Sequence, residues 1–270
     1  MSMINNLQNK TAIITGASNG IGMEIGKKFL QAGANVVFSD SAKFDLETLI
    51  SGVSSNIGTT HSFYGNMHDK LAVNNLLATT LNKFQRVDLL VNANRTIIPS
   101  NPLDEKEGAL EKSLSQNIIA TLNVSQLFAK SVIRQTRNRK NGEIVGSIIN
   151  LTSIAANQTI PEMMPYSVSC AALNQMTRSL AVSLAKEGIR VNAISLGSIM
   201  SSSLRLNLHS NPELHDSIID ATPLGYIAEP AEVADLALFL SSESARFLTG
   251  QVITIDGGRS ILNKLEKAAY

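Results

Sequence analysis

Three glycines near the amino terminus have the spacing of a turn that holds a pyrophosphate. Gly16, Gly20 and Gly22 follow an apolar run and open a segment with helical periodicity. In such a turn the backbone bends sharply and approaches the pyrophosphate, while amides at the helix amino terminus face the phosphates. A glycine pattern alone is weak evidence, but its place between a strand and a helix supports the function. The residues predicted to bind a dinucleotide here are Gly16, Ser18, Asn19, Gly20, Ile21 and Gly22.

An acidic residue after the second apolar run distinguishes the two forms of such a cofactor. Asp40 lies about 20 residues beyond the glycines, where a carboxylate accepts hydrogen bonds from the adenosine ribose hydroxyls of NAD. It would repel the extra phosphate of NADP, and neither Ser41 nor Asn19 carries a charge to offset that repulsion. The sequence therefore favours NAD over NADP. A turn or helix-cap role for Asp40 is compatible with the same position.

Short apolar runs separated by helical periodicity predict the elements that position these residues. The helix that begins at Gly20 has Ile21, Ile25 and Phe29 four residues apart and ends at Gly33. Strands alternating with helices imply right-handed crossovers and a doubly wound parallel sheet covered on both faces. We predict a single α/β domain over residues 1–270. Its strands are predicted at residues 11–15, 35–39, 60–64, 87–91, 147–151, 190–195 and 251–255.

Composition and charge exclude several other classes of protein. The chain has 23 Lys and Arg against 22 Asp and Glu, so no general attraction toward nucleic acid or an anionic membrane is expected. No apolar run approaches the ~18–20 residues of a membrane span, and the amino terminus lacks the pattern of a signal peptide. The single cysteine excludes an intramolecular disulfide and a multi-cysteine metal site. We therefore expect a cytoplasmic protein.

Apolar residues are more abundant than a single buried core requires. Charged residues make up 17% of the chain, below the ~25% usual for soluble domains, and AVILMFWYC residues make up 44%. Apolar surface therefore remains for subunit contacts, and we expect a homo-oligomer.

The order of the motifs resembles the short-chain dehydrogenase/reductase family over residues 10–258. The resemblance implies a Rossmann-like sheet of seven strands and a tetramer built partly on the helices of Asn117 and Tyr166. Residues 153–178 and 198–224 are most similar to bacterial 7α-hydroxysteroid dehydrogenases and 3-oxoacyl-carrier-protein reductases. The matching motifs are the glycine turn at 15–22, Asp-Leu-Leu-Val-Asn at 88–92, Asn117, Ser153 thirteen positions before Tyr166, Ile-Arg-Val-Asn-Ala at 189–193, Thr-Gly-Gln at 249–251 and Asp-Gly-Gly at 256–258.

The resemblance also implies a role for each site residue. Tyr166 would be the acid/base on the substrate oxygen, Ser153 would hydrogen-bond that oxygen and stabilise developing charge, and Asn117 would hold a water in a proton relay. Taken separately, a serine at a strand end is typical of a cap and a tyrosine near a helix start is typical of packing. Their spacing within the full motif order favours the site. Further cofactor-facing positions are Asn66, Met67, Asn92, Ala93 and Ile199.

One position departs from the family's Tyr-x-x-x-Lys motif, because Cys170 stands where the lysine belongs. The family's ammonium group holds the nicotinamide ribose and lowers the pKa of the tyrosine. A unit charge ~4–5 Å away at an effective dielectric of ~20 is worth about 3–4 kcal/mol, or roughly two to three pH units of pKa. Three roles of Cys170 therefore stay open. It is a small buried side chain that fills part of the lysine's space, a reactive thiol, or a replacement whose missing charge is supplied by Arg95. Arg95 itself replaces a glycine of the family pattern.

The region expected to cover the substrate is apolar. Residues 198–224 would form a lid in this family, with Leu204, Leu206, Leu208 and Leu214 as an apolar lining. Such a lining favours a hydrophobic secondary alcohol or ketone over a sugar. His209 and His215 lie in the same segment without a carboxylate or cysteine at metal spacing, so no metal site is predicted. Two functions stay open: an NAD-dependent dehydrogenase, weakened by Cys170, and a non-catalytic NAD(H)-binding protein or scaffold.

Overall fold

Seven parallel strands form one sheet in the computed structural model, which describes residues 6–42, 45, 48, 58–103 and 108–263. Their spatial order is β3-β2-β1-β4-β5-β6-β7. The predicted Rossmann-like α/β fold with a doubly wound, seven-stranded parallel sheet is confirmed. The strands are β1 Thr11–Thr15, β2 Asn35–Asp40, β3 Thr60–Tyr64, β4 Leu89–Asn92, β5 Gly146–Ser153, β6 Ile189–Leu196 and β7 Val252–Ile255.

Helices cover both faces of this sheet. Its central strands are therefore buried along almost their whole length. Helices α1 and α8 pack on one face, and α2 and α4 pack on the other. The helices are α1 Gly20–Gln31, α2 Lys70–Phe84, α3 Ala109–Leu114, α4 Ala120–Gln135, α5 Met164–Leu184, α6 Ser202–Ser210, α7 Pro212–Asp220 and α8 Pro230–Ser241. A single π-helical turn, Ser115–Ile119, joins α3 to α4.

The predicted strands agree with the observed ones to within two residues. Differences of two residues occur at the end of β5, which continues to Ser153, and at the start of β4, which begins at Leu89 and not at Val87. The backbone of Val87 is bound by a side chain: its N–H donates to Oε1 of Gln135 at 3.0 Å, and its carbonyl accepts from Nε2 at 2.6 Å. Because these groups are used by a side-chain amide, the strand ladder starts two residues later.

The described residues contain no helix long and apolar enough to cross a membrane. They also contain no group of three or more His, Cys, Asp or Glu side chains that could hold a metal ion.

Candidate functional site

The glycine turn follows β1, which has β2 on one side and β4 on the other. At β1 the direction in which successive strands are added to the sheet reverses. In doubly wound sheets this crevice at the carboxyl ends of the strands is the usual ligand site. Gly16 has φ +63°, and a Cβ there would lie 2.8 Å from the backbone nitrogen of Asn94. A Cβ at Gly22 would lie 2.4 Å from the carbonyl oxygen of Gly16. Both positions therefore require glycine, and the turn brings the amino terminus of α1 against the sheet.

The amino terminus of α1 opens into a cleft of about 440 Å³. No side chain caps this helix, so its first amide N–H groups keep their capacity to bind an anion. Gly20 borders open space, since the nearest atom to an added Cβ is Cβ of Ser201 at 3.8 Å. These features fit the pyrophosphate of a dinucleotide. Of the predicted cofactor residues, those that line the cleft are Gly16, Ser18, Asn19, Gly20, Ile21, Gly22, Asp40, Asn66, Met67 and Ala93.

Asp40 is fixed at the end of β2 beside the glycine turn. Its Oδ2 accepts from the backbone N–H of Ser18 at 3.1 Å, and its Oδ1 accepts from the N–H of Ala42 at 3.2 Å. The carboxylate is only partly buried, so it keeps acceptor capacity on the side of the cleft. This is the position in which a carboxylate binds ribose hydroxyls.

Asn92 is placed differently from the other predicted cofactor residues. It is buried in the sheet, and its Nδ2 donates to Oγ of Ser125 at 3.1 Å and to Oδ1 of Asn150 at 2.9 Å. It is not part of the cleft lining. In this structure Asn92 supports the cleft by linking β4 to β5 and α4. Ile199 is also outside the first cleft and lies in a second one.

The second cleft has a volume of about 710 Å³ and contains Ser153 and Tyr166 in its wall. Ser153 is the last residue of β5, because that strand continues alongside β6 as far as Leu196. Pro165 occupies the first turn of α5, where its missing N–H is tolerated, and Tyr166 follows it. The Tyr166 side chain interacts with those of Ser153 and Cys170. The structure thus brings the three residues together.

The phenol of Tyr166 holds its proton tightly. Burial, and after it the neighbouring Cys170, raise the pKa of Tyr166 to about 12, although Arg95 and the interaction with Ser153 act to lower it. None of the lysines that the structure describes contributes to this pKa. At neutral pH the hydroxyl is therefore protonated and has a proton to donate.

Cys170 is buried next to Tyr166. Its environment allows its three possible roles, as a filler of space, a reactive thiol or a replacement compensated by Arg95, to be compared. Burial raises the pKa of its thiol, although the hydrogen bonds to Tyr166 and Thr152 and the charge of Arg95 oppose that rise. A neutral, enclosed thiol is a poor nucleophile, so the site fits the small buried filler better than a reactive cysteine. Arg95 acts electrostatically on both Tyr166 and Cys170, which is also what compensation requires.

Asn117 connects the π turn to two other parts of the site. Its Oδ1 accepts from the N–H of Thr96 at 2.8 Å, and its Nδ2 donates to the carbonyl of Thr96 at 2.9 Å and to Oγ of Ser169 at 3.0 Å. Ser169 in turn donates to the carbonyl of Tyr166 at 2.8 Å. Asn117 therefore fixes the segment that carries Arg95 and the helix that carries Tyr166.

The two clefts meet at a few shared residues. Arg95, Ser201 and Ser203 line both of them. Among the described residues that line the first cleft, Arg95 is the only lysine or arginine. Sequence reasoning missed Ser201 and Ser203, because their place at the junction depends on how the lid folds back. It also missed His68 and Gln116 in the first cleft, for which no motif gives a signal.

Helices α6 and α7 occupy the segment predicted to form a lid, and part of its predicted lining is wrong. Leu204 and Leu214 line the second cleft, as expected, together with Ile218. Leu206 is 72% exposed and Leu208 is not in the lining, because the lid is helical and successive even positions face different directions. His209 is exposed, and Nδ1 of His215 lies 3.2 Å from Oδ1 of Asp216.

The topology, the glycine turn and the crevice beside it define a Rossmann-like, dinucleotide-binding class of protein. A family model described as enoyl-(acyl carrier protein) reductase matches residues 16–260. The 7α-hydroxysteroid dehydrogenase of Escherichia coli K12 is 31% identical over 93% of this chain and 94% of its own length. The 3-oxoacyl-(acyl-carrier-protein) reductase of Thermotoga maritima is 32% identical over 93% of this chain and 98% of its own length.

A solved structure gives the same result in three dimensions. The structure of a 7α-hydroxysteroid dehydrogenase complexed with NADH and 7-oxo glycochenodeoxycholic acid is 30% identical and has a TM-score of 0.86. The likeness covers 96% of this chain and 97% of that one. The chain belongs to the short-chain dehydrogenase/reductase family, a family of oxidoreductases.

Proposed function

We propose that this protein interconverts a hydrophobic secondary alcohol and its ketone with NAD(H) as cofactor. The observation that carries the proposal is that the interacting side chains of Ser153 and Tyr166 lie together in the wall of the second cleft, which shares Arg95 with the first cleft. A redox reaction of this kind requires a proton carrier next to the substrate oxygen and a neighbouring cofactor.

The cofactor would be held by the glycine turn, Asp40, Asn66 and Met67, with Ile199 toward the second cleft. When bound, NAD(H) supplies or accepts the hydride. The position of Asp40 at the end of β2 supports NAD over NADP, because a second negative charge on the ribose would face this carboxylate. NADP(H) is the other outcome of the test.

The chain's own residues would manage the proton and the substrate oxygen. Tyr166 donates its proton to the oxygen in the reductive direction and receives one in the oxidative direction. Ser153 hydrogen-bonds the same oxygen, which stabilises the charge that develops on it. Asn117 holds α5 through Ser169 and thereby positions Tyr166. We propose the water-holding role of Asn117 as well, although Thr121 already donates to its carbonyl at 2.9 Å.

Arg95 would take over the electrostatic role of the family's lysine, which lowers the pKa of the tyrosine. Arg95 lowers the pKa of Tyr166 in this site, and it is exposed at the junction of the two clefts. Its effect is smaller than that of burial, so the pKa stays above that of a free tyrosine. The proposed enzyme is therefore weaker in oxidation than a relative that has the lysine.

Apolar side chains support the hydrophobic substrate. The second cleft is bordered by Ile154, Ile160, Met163, Leu204 and Ile218, and the lid contributes two of these. The structural relative with 7-oxo glycochenodeoxycholic acid and the 3-oxoacyl reductase relative give two chemical types to test first.

A second function is favoured by one specific observation. Because Cys170 replaces the lysine, the pKa of Tyr166 is about 12. A tyrosine that holds its proton this tightly also fits a protein that binds NAD(H) without turnover. We therefore propose a non-catalytic NAD(H)-binding or scaffold role as the alternative. Both functions predict binding of the cofactor, and they separate on turnover.

Calorimetric titration with NADH and NADPH tests the part common to both functions. Native protein should bind NADH more tightly than NADPH, and Asp40→Ser should reduce that difference. Turnover with a panel of steroid and 3-oxoacyl ketones, lost in Tyr166→Phe, would support the enzyme. Failure to bind either cofactor at millimolar concentration would remove both functions.

A further inference from the structure

A second arginine, Arg259, lies in the second cleft, and its partner there is an uncharged side chain. Arg259 lines the second cleft, and its Nη1 donates to Oγ of Ser198 at 2.8 Å. The backbone carbonyl of Arg259 accepts from Nε2 of Gln158 at 3.4 Å, which holds this segment against the cleft. The guanidinium is thus oriented by a neutral hydroxyl.

No carboxylate neutralises Arg259 directly among the residues that the structure describes. None of their ion pairs within 4.0 Å includes Arg259. Asp256 interacts with it electrostatically, but the two carboxylate oxygens of Asp256 accept from the N–H groups of Gly258 at 2.9 Å and Ser260 at 2.7 Å. Asp256 is therefore engaged in stabilising the turn after β7.

The charge in the second cleft is unbalanced. Its described lining contains two arginines, Arg95 and Arg259, and no Asp or Glu. A partly buried guanidinium beside apolar walls is unfavourable until an anion reaches it, and its planar fork matches the oxygens of a carboxylate. Arg95 also borders the dinucleotide cleft, whereas Arg259 borders the substrate cleft alone. Arg259 is consequently free to serve the substrate.

We propose that the substrate is an amphiphile with an apolar body and a carboxylate, and that Arg259 binds the carboxylate. This inference rests on the proposed function, because it uses the same cleft and the same reaction. The apolar body lies along the lid and Ile160, and the carbonyl to be reduced lies at Tyr166 and Ser153. Arg259 is a specificity-determining residue in this scheme and takes no part in the proton transfer.

The test compares oxo-acids with their uncharged methyl esters in the native protein, Arg259→Gln and Arg259→Lys. The native protein should have a lower KM for the acids. Arg259→Gln should raise the KM for the acids by about ten- to a hundredfold, with kcat and the KM for the esters nearly unchanged. Arg259→Lys should restore part of the preference. Arg134→Gln, an exposed arginine of α4 outside the cleft lining, is the matched control and should behave as native.

A binding measurement separates this inference from the proposed function. Decanoate and decanol are titrated into the native protein and Arg259→Gln in the presence of NADH, with no turnover required. Selective loss of decanoate binding in the variant would support the anion subsite even if no ketone is reduced. Equal binding of decanoate and decanol by the native protein, or equal weakening of both in the variant, would overturn it.

Discussion

Tyr166 is distinguished from the tyrosine of its family by the group four residues after it. Burial and the neighbouring Cys170 raise the pKa of the phenol to about 12, and Arg95 offsets only part of this rise. A protonated phenol still donates to a substrate oxygen, whereas proton acceptance requires the tyrosinate. The two directions of the reaction should therefore respond differently to pH.

The first prediction concerns that pH dependence. Below the pKa of Tyr166, the tyrosinate fraction rises about tenfold for each pH unit, so log kcat/KM for alcohol oxidation should rise with a slope near one past pH 10. Ketone reduction should be nearly constant from pH 6 to about pH 9, because the phenol stays protonated. Steady-state rates in both directions check this. An oxidation profile that levels off below pH 8 would contradict the pKa direction.

The second prediction restores the missing cation. Cys170→Lys should lower the pKa of Tyr166 by about two to three pH units and raise the oxidation rate at pH 8 by about a hundred- to a thousandfold. Cys170→Ala, which changes the volume without adding charge, is the control and should give at most a small change. Arg95→Gly should remove the remaining activity of the native protein if Arg95 supplies the compensation; an unchanged rate would reject that role.

Helix α1 must approach the sheet closely for its amino terminus to face the first cleft. Gly26 makes this possible, because a Cβ there would lie 2.2 Å from Cε1 of Phe38. Phe38 belongs to β2 and is completely buried, so its ring has little room to move. The approach of α1 to β2 also brings the glycine turn next to Asp40.

The third prediction tests this helix–sheet contact. Gly26→Ala should lower the free energy of unfolding by about 1–3 kcal/mol, since overpacking outweighs the better helix propensity of alanine. Denaturant unfolding measures the change. Gln31→Ala, at the exposed carboxyl end of the same helix, should be neutral or slightly stabilising. Phe38→Leu in the Gly26→Ala background should recover part of the loss, and no recovery would mean that the ring is not the obstacle.

Periodicity and turn residues predict most of the elements, and three-dimensional contacts decide the rest. Runs of apolar, β-branched residues locate the central strands because these are buried on both faces, whereas the edge strands β3 and β7 are only partly buried. The π turn at Ser115–Ile119 has no periodic signal, since it forms where Asn117 binds the backbone of Thr96. Likewise, the exposure of Leu206 depends on the direction of a lid helix, which leucine spacing alone did not reveal.

At the scale of the site, motif order predicts which side chains meet. Ser153, Tyr166 and Cys170 were predicted to be neighbours and are in contact. Sequence reasoning did not supply the contacts between distant segments. These contacts turn Asn92 into the sheet and place Arg259 in the wall of the second cleft.

At the scale of the whole molecule, apolar side chains remain uncovered on α5. Val182 is 80% exposed and Val168 is 42% exposed, on the helix that carries Tyr166. Exposed apolar residues on one helix are typical of a contact between subunits. We propose that this surface is buried in a homotetramer.

We also propose that the protein works in a reducing cytoplasm, to which its single, buried cysteine is suited.

The fourth prediction concerns the assembly. Light scattering should give a mass of about four times the 28.9 kDa of the chain. Val182→Asp should reduce this mass to that of a dimer or monomer, because a charge would be buried at the contact. Leu71→Asp, an exposed apolar residue of α2, is the control and should leave the mass unchanged. A native monomer would contradict the proposal.

The central claim is that this site reduces a ketone with Tyr166 as the proton donor. The most direct measurement uses NADH dideuterated at C4 of the nicotinamide, a panel of steroid and 3-oxoacyl ketones, and mass spectrometry of the products. The account predicts an alcohol that carries one deuterium on the former carbonyl carbon, with the signal lost in Tyr166→Phe. Tight binding of NADH without deuterium in any product, in the native protein and in Cys170→Lys alike, would contradict it.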